Sequence, residues 1–199
     1  MLHFRIRDYL SVLLYRLLAP FFGRFGKRVR IVWPLRIIGA KYCSFADDST
    51  LQYGAYVIAT RAFDYDPVLK VGARTLIGNH SHIVCTRRVE FGEGVLTADR
   101  LFVSDNGHEF ADPNVPIRDQ GLRQLADVHI GDGTWIGENV VVSGASIGRQ
   151  CVIAANSVVT HDIPDHCIAA GAPARIIKRY CHDRGEWRAA TADGSFRED

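Results

Sequence analysis

The sequence lacks several features that mark large protein classes. Its five cysteines are an odd number and form no C-x-x-C pair, which argues against a disulfide framework and favours free thiols in a reducing compartment. Its apolar runs are too short and too charged to cross a bilayer. The formal net charge is only +2. Because a nucleic-acid protein more often spreads basic residues over its reading surface, we expect no nucleic-acid partner.

The charge that is present is concentrated at one end. Residues 1–30 contain seven Lys or Arg and one acid, which gives +6 against −4 for the remainder. Residues 2–22 also place apolar side chains at helical spacing, so we predict a basic amphipathic helix there. We expect it to pack against the body of the protein or a neighbouring subunit, with contact to an anionic membrane face as the alternative. The expected location is cytoplasmic, with peripheral contact at the inner membrane left open.

Glycine is plentiful, and the glycines follow a pattern. Between Ile130 and Thr160 an aliphatic residue returns about every sixth position and is usually followed by a small residue. A period of six fits neither a helix nor an ordinary half-buried strand, and it is typical of a parallel β-helix solenoid. The pairs are Ile130-Gly131, Ile136-Gly137, Val142-Ser143, Ile147-Gly148, Ile153-Ala154 and Val159-Thr160. We expect each aliphatic to point inward and each small residue to let the chain turn a corner.

The same spacing divides the chain into four segments. A mainly β solenoid of about five coils is predicted over 31–164, with the repeat becoming visible at Ile38. A short loop at 61–70 and a long polar loop at 105–127 interrupt it, and such loops tend to carry function. The basic helix at 1–30 precedes it. Residues 165–182 should form a turn and a short capping helix at Arg175–Arg179, and 183–199 a disordered polar tail.

Three motifs resemble a known family. They are Ile130–Gly137, Val152–Thr160 and Ala170–Arg175, which read IGDGTWIG, VIAANSVVT and AGAPAR. They closely resemble the C-terminal half of hexapeptide-repeat acyltransferases, nearest to the galactoside and maltose acetyltransferases and the O-acetyltransferases of bacterial surface polysaccharides. The resemblance implies a left-handed β-helix, a homotrimer with active sites between adjacent subunits, acetyl-CoA as acyl donor, no metal, and a sugar or glycan acceptor.

The resemblance also assigns candidate site residues. His108 matches the family's catalytic histidine, and a histidine side chain suits the task because it can accept the proton of an attacking hydroxyl near neutral pH. Asp105 or Glu109 would then orient the imidazole. The acetyl-CoA site would comprise Trp135, Ala155, Thr160, His161, Arg175 and Lys178, with the last two at the phosphates. Candidates for acceptor contact are Asn79, His82 and Arg88, and Gly78 departs from the galactoside pattern.

Other functions remain open at this stage. N-acylation of a nucleotide-linked amino sugar is the main alternative to O-acetylation, although no nucleotide-recognition region is visible. A zinc enzyme like the γ-class carbonic anhydrases shares the solenoid, but the only His-x4-His pair is His161 and His166 in the exit turn. A non-catalytic solenoid would not need the loop that carries His108.

Overall fold

The computed structural model describes residues 2–197, with side chains from residue 6 onward. The chain begins with helix α1 (Leu2–Leu17) and continues with β1 (Arg24–Phe25), β2 (Arg30–Ile31), β3 (Arg36–Ile38), β4 (Cys43–Phe45), β5 (Thr50–Leu51), β6 (Tyr56–Ala59), β7 (Val68–Val71), β8 (Leu76–Ile77), β9 (His82–Cys85), β10 (Arg88–Phe91), β11 (Leu96–Thr97) and β12 (Phe102–Ser104). The remaining strands are β13 (Asn106–His108), β14 (Leu122–Gln124), β15 (Val128–Ile130), β16 (Trp135–Ile136), β17 (Val141–Ser143), β18 (Val152–Ile153), β19 (Val158–Val159), β20 (Cys167–Gly171), β21 (Ala174–Cys181) and β22 (Glu186–Ala189). Single 3₁₀ turns lie at Ala19–Phe21, Ala40–Tyr42 and Ile117–Asp119.

The strands form three main sheets that the chain visits in rotation. Sheet A contains β1, β4, β7, β10 and β15, sheet C contains β3, β6, β9, β12, β17 and β19, and sheet B contains β2, β5, β8, β11, β16, β18 and β20–β22. Neighbouring strands from successive coils pair in parallel. This is a three-sided parallel β-helix, as the repeat predicted. Sheet C contributes one strand per coil, so the described residues form six coils. The extra coil, β1–β3, lies before the point where the repeat becomes visible in the sequence.

The predicted inward positions form the core. Each hexad aliphatic between Ile130 and Val159 is at most 1% exposed. They stack in columns, since Ile136 pairs with Ile153 and Val142 with Val159 one coil away. Full burial of such a side chain stabilises the fold by about 1.5–3 kcal/mol. The core is therefore a repeated stack in which every coil contributes from all three sides.

Glycine after the aliphatic serves close stacking of the coils. A Cβ on Gly131 would lie 2.4 Å from the backbone nitrogen of Arg149, and one on Gly137 would lie 2.5 Å from that of Ala155. A side chain at either position would push two coils apart. The left-handed backbone occurs elsewhere in each corner, for example at Gly94 (φ 64°) and Gly133 (φ 65°). The turn therefore depends on these later residues, and the glycine of the hexad is required by the neighbouring coil.

Helix α1 packs on the first coil through a polar anchor. The buried Ser11 hydroxyl donates to the carbonyl of Ile31 at 3.0 Å and accepts from the backbone N–H of Trp33 at 2.8 Å. The indole N–H of Trp33 donates back to the carbonyl of Arg7 at 2.8 Å. These contacts hold α1, which ends at Leu17, on the first coil. Within residues 2–197, no helix has the length and apolar content needed to span a bilayer.

The predicted capping helix at Arg175–Arg179 is wrong. This segment belongs to β21, which pairs antiparallel with β20 and then with β22. Ile176 is 6% exposed while its neighbours Arg175 and Ile177 are exposed, an alternation that suits a strand. By pairing with β20, β21 also provides hydrogen-bond partners for backbone groups of β20 that would otherwise be unpaired at the edge of sheet B. The predicted disorder after Cys181 is likewise wrong for the segment that forms β22.

Candidate active site

Two departures from the coil occur at the same corner of the prism. The chain passes from sheet C to sheet A at residues 60–67, after the second coil, and again at residues 105–127, after the fourth. The longer excursion contains a two-stranded hairpin in which β13 pairs antiparallel with β14. The corner between sheets C and A thus carries both irregular segments, one above the other along the solenoid.

His108 occupies the end of the first hairpin strand. It pairs with Leu122 across the hairpin, three residues beyond the buried Asp105 that ends the coil. Its side chain is exposed at the corner. Farther out, the guanidinium carbon of Arg123 lies 4.8 Å from the ring centre of Phe110, which connects the two sides of the loop. The hairpin therefore presents the imidazole at the surface from a regular, hydrogen-bonded backbone.

The carboxylate of Asp105 fixes the start of this loop. Its side chain is fully buried and accepts backbone N–H groups from Thr86 at 2.9 Å, Arg87 at 2.7 Å and Arg88 at 2.7 Å. It also accepts from the Thr86 hydroxyl and the Asn106 amide, each at 3.0 Å. Three successive N–H groups directed at one carboxylate form an anion-binding turn. Asp105 joins the His108 loop to the corner of the preceding coil.

A second set of side chains closes the base of the loop, and sequence reasoning missed it. Gln124 accepts from the Tyr65 hydroxyl at 2.9 Å and from the Thr86 hydroxyl at 3.0 Å. Its amide donates to the carbonyl of Asp105 at 2.5 Å. Tyr65 comes from the shorter excursion, so the two loops are bonded to each other. No repeat or motif marks these residues, because the contact joins positions 59 apart in the chain.

The expected carboxylate partner of His108 is not found in this structure. Asp105 is directed at the Thr86–Arg88 backbone, and the Glu109 carboxylate accepts from the N–H of Phe110 at 2.9 Å. In the part of the chain that the structure describes, with side chains from residue 6 to 197, no group forms a hydrogen bond or ion pair with the imidazole. Both acids are bound by nearer backbone donors here, and their role beside His108 stays a prediction. The imidazole is accordingly open to an incoming group.

The three acceptor candidates lie apart from one another. Asn79 sits at the corner between sheets B and C, where its amide is held by Asp99 at 3.0 Å. His82 stands on the outer face of sheet C, stacked on Tyr56 with ring centres 4.9 Å apart, and burial lowers the pKa of its imidazole. Arg88 forms an ion pair of 2.8 Å with Glu90 on sheet A. Of the three, Arg88 shares the corner of His108, because Asp105 holds its backbone.

The candidates for acetyl-CoA contact occupy the later coils. Trp135 is 50% exposed on the outer face of sheet B, and Ala155 is exposed at the next corner. Arg175 and Lys178 are exposed on β21 at the same end. Thr160 and His161 are exposed at the corner between sheets C and A, where the threonine hydroxyl lies 3.0 Å from the histidine Nδ1. An exposed aromatic side chain and two exposed cations on the same sheet fit a ligand that is apolar at one end and phosphorylated at the other.

These residues therefore lie on two edges of one prism. His108, Thr160 and His161 lie at the C–A corner, whereas Trp135 and Ala155 lie on sheet B and at the B–C corner. Sheet C separates the edges, and its outer face is largely apolar. The outward positions are Arg36, Ile38, Tyr56, Ile58, His82, Val84, Phe102, Ser104, Val141, Ser143 and Val158. A single chain does not bring the two groups together.

The described residues contain no group of three or more His, Cys, Asp or Glu side chains arranged to hold a metal ion. His161 and His166, the pair that raised the zinc alternative, contact different residues. His161 contacts Thr160, while the ring of His166 packs edge-on against His182 with centres 4.9 Å apart.

Sequence comparison identifies the class of protein. The profile described as bacterial transferase hexapeptide (six repeats) matches residues 127–161. The chain is 31% identical over 160 residues to WbbJ of Escherichia coli, whose name assigns it to lipopolysaccharide biosynthesis as an O-acetyl transferase, and the match covers 74% of this chain and 81% of WbbJ. The chain belongs to the hexapeptide-repeat acyltransferases, a family of enzymes that use acyl-CoA. This confirms the resemblance seen in the sequence.

Two further relatives define the neighbourhood. The Mycobacterium tuberculosis protein Rv3034c, named as a probable acetyltransferase, is 38% identical over 125 residues, which cover 62% of this chain and only 40% of Rv3034c. The solved structure of the N-acyltransferase AntD from Bacillus cereus, in complex with dTDP and 3-hydroxybutyryl-CoA, has a TM-score of 0.69 at 17% identity, covering 86% of this chain and 90% of AntD. AntD shares the fold.

Proposed function

We propose that this protein is an acetyl-CoA-dependent O-acetyltransferase that acts on a hydroxyl of a sugar in a bacterial surface glycan or its precursor. The observation that carries the proposal is His108. It is an exposed imidazole without a protein partner among the described residues, presented by a hairpin whose base is held by Asp105 and Gln124. The likeness to WbbJ over most of its length favours a glycan acceptor.

The proposed chemistry is direct transfer in a ternary complex. His108 accepts the proton of the sugar hydroxyl as the oxygen attacks the thioester carbonyl of the acyl donor, the C–S bond breaks, and the thiol leaves as free CoA. No covalent enzyme intermediate is needed. Because no described carboxylate of the same chain is hydrogen-bonded to His108, we assign its orientation to the hairpin backbone and to the bound acceptor. Asp105 acts through the loop as a positioning residue.

Acetyl-CoA would be held by the second edge of the prism. Trp135 and Ala155 on this edge would line the pantetheine arm, and Arg175 and Lys178 would meet the phosphates. Thr160 and His161 lie at the C–A corner with His108, so they would reach the arm from the neighbouring subunit of the trimer proposed below. These groups fit the donor because they combine an exposed aromatic surface with two exposed cations at the C-terminal end. Bound acetyl-CoA supplies the activated acyl group.

We further propose a homotrimer of left-handed β-helices. The argument is the separation of the two edges by the apolar outer face of sheet C. Packing that face around a threefold axis would bury it and bring the C–A corner of one chain beside the B–C corner of the next. His108 of one subunit would then face the acetyl-CoA residues of its neighbour.

Subunit complementation tests the shared site. Chains carrying His108→Ala and chains carrying Arg175→Ala with Lys178→Ala should each be nearly inactive, and co-expression should restore about a quarter of the sites in randomly mixed assemblies. If correctly assembled mixed trimers showed no restored activity, that result would contradict a site between subunits.

N-acylation of a nucleotide-linked amino sugar is the second candidate, favoured by the structural likeness to AntD. The experiment that decides is CoA thiol release from acetyl-CoA against sugars, nucleotide sugars and lipid-linked glycans, with the product examined by NMR. We expect an acetyl ester on a sugar hydroxyl. An amide product on a nucleotide-linked amino sugar would support the second candidate. Binding of acetyl-CoA undetectable by calorimetry would overturn both.

A further inference from the structure

The apolar stripe of helix α1 points away from the protein. The exposed fractions are 57% for Ile6, 56% for Leu10, 56% for Leu13, 43% for Leu14 and 71% for Leu17. At helical spacing these five side chains fall within an arc of about 100°. We call them the leucine face. The opposite side of the helix, which contains Ser11, is the one packed on the first coil.

This arrangement is unusual. A surface helix on a globular body normally turns its apolar stripe inward, because that burial is what stabilises it. Here the packed side carries the Ser11 anchor and the partly buried Tyr15, while five large aliphatic side chains are left at the surface. Phe21, just beyond the helix, is also 68% exposed and extends the same apolar end. A contiguous patch of this kind marks an interaction site.

The rim of the leucine face is basic. Helical geometry places Arg7 and Arg16 on opposite flanks of the stripe. Arg24, Lys27 and Arg30 are exposed on the first coil, at the same end of the solenoid. Long basic side chains flanking an apolar stripe are arranged as in helices that lie in a membrane interface, where the stems cover acyl chains and the charges meet phosphates.

A cavity beside the helix suits an anionic headgroup. It has a volume of about 450 Å³ and lies between α1 and the first coil. Its lining includes three arginines, Arg16, Arg28 and Arg30, and one acid, Asp8. Arg28 is already paired with Asp48 at 2.6 Å, which leaves Arg16 and Arg30 as the cations best placed for a phosphate. Tyr9 and Arg16, which line the cavity, neighbour Leu13 of the leucine face by helical spacing.

We propose that the leucine face of α1 lies in the headgroup region of an anionic phospholipid bilayer, with lipid phosphates bound by Arg16 and Arg30. Charge favours this occupant over a second copy of the chain. Face-to-face pairing of two copies would bring together two segments of +6, whereas an anionic lipid surface neutralises them. The proposal does not depend on the catalytic assignment, although it would place a lipid-linked acceptor beside the enzyme.

Vesicle flotation of the full-length protein tests the proposal. Vesicles of phosphatidylcholine alone are compared with vesicles in which part of the lipid is phosphatidylglycerol. We expect binding to the anionic vesicles that weakens with salt. Leu13→Gln with Leu17→Gln should lower the partition coefficient about 100-fold, because two aliphatic side chains no longer enter the interface. Arg16→Gln with Arg30→Gln should lower it about 20-fold or more.

A matched control and a mass measurement separate the outcomes. Ile177→Gln replaces an aliphatic side chain that is 44% exposed at the opposite end of the solenoid, and it should leave vesicle binding unchanged. Light scattering reports whether the leucine variants change the oligomer. Binding that is equal for wild type and Leu13→Gln/Leu17→Gln would overturn the proposal. The proposal would also be overturned if the wild-type protein did not bind vesicles and the leucine variants formed a smaller assembly. That result would assign the leucine face to contact with a second copy of the chain.

Discussion

Replacing Asp105 should destabilise the loop that carries His108, and the size of the effect follows from its hydrogen bonds. Asp105→Ala leaves the N–H groups of Thr86, Arg87 and Arg88 without their acceptor. Each buried donor left unsatisfied costs about 1–3 kcal/mol. Thr86 is fully buried but Arg88 is exposed, so the cost summed over the three donors should lie near the lower end of its range. We expect Asp105→Ala to lower the free energy of unfolding by about 3–5 kcal/mol.

The assay is urea unfolding followed by circular dichroism, with all variants at one protein concentration because the stability of an oligomer depends on it. Asp112→Ala is the matched control. It removes an acid from the exposed part of the same loop, where the carboxylate accepts from the Asn114 N–H at 2.9 Å, and it should change stability by about 0.5 kcal/mol or less. The stability loss of Asp105→Asn should fall between those of Asp105→Ala and Asp112→Ala, because the amide oxygen can still accept a hydrogen bond while the amide NH₂ would face N–H donors. A loss below about 1 kcal/mol for Asp105→Ala would refute this account of the loop.

Three further outcomes follow from the structure. Burial raises the pKa of Cys43 to about 12 and that of Cys151 to about 11, so a thiol reagent should titrate about one cysteine or fewer in the native protein and all five after denaturation. Burial lowers the pKa of His82 below its unfolded value, so the unfolded chain binds more protons and stability should fall as the pH drops below about 6.5. Urea unfolding across this pH range should show a smaller decrease in stability for His82→Phe than for wild type. An equal decrease would contradict the assignment to His82. Tyr65→Phe removes the bond to Gln124 and should cost about 1 kcal/mol, with faster hydrogen exchange confined to the two corner loops.

The repeated part of the fold was predictable because every coil meets the same physical demand. Each inward aliphatic must stack on its counterpart and each hexad glycine must admit the next coil, so Ile136 and Gly137 carry the same information as Ile153 and Ala154. The start of the first coil, at β1, fell outside the predicted solenoid because the core residues Val29 and Ile31 have no small residue after them. Its stability comes partly from Ser11 and α1, which no repeat reveals.

The ends and the loop were harder to predict because they depend on contacts distant in sequence. Residues Arg175–Arg179 have a composition that suits a helix, but pairing with β20 determines their structure. His108 was singled out because it matches the position of the family's catalytic histidine, and that role stays a prediction. The binding of the Asp105 carboxylate by the Thr86–Arg88 backbone was not evident from the sequence, since the corner of a preceding coil becomes its neighbour only after the solenoid has formed.

The most direct test of the central claim is the rate of acetyl transfer by His108→Ala beside wild type, with one identified acceptor and saturating acetyl-CoA. The account predicts a fall in kcat of roughly 10²-fold or more, with acetyl-CoA binding and the circular dichroism spectrum unchanged. Glu109→Gln, at the neighbouring acid that is turned to its own backbone, should retain most of the activity. A His108→Ala variant that transfers acetyl groups at the wild-type rate would contradict the account.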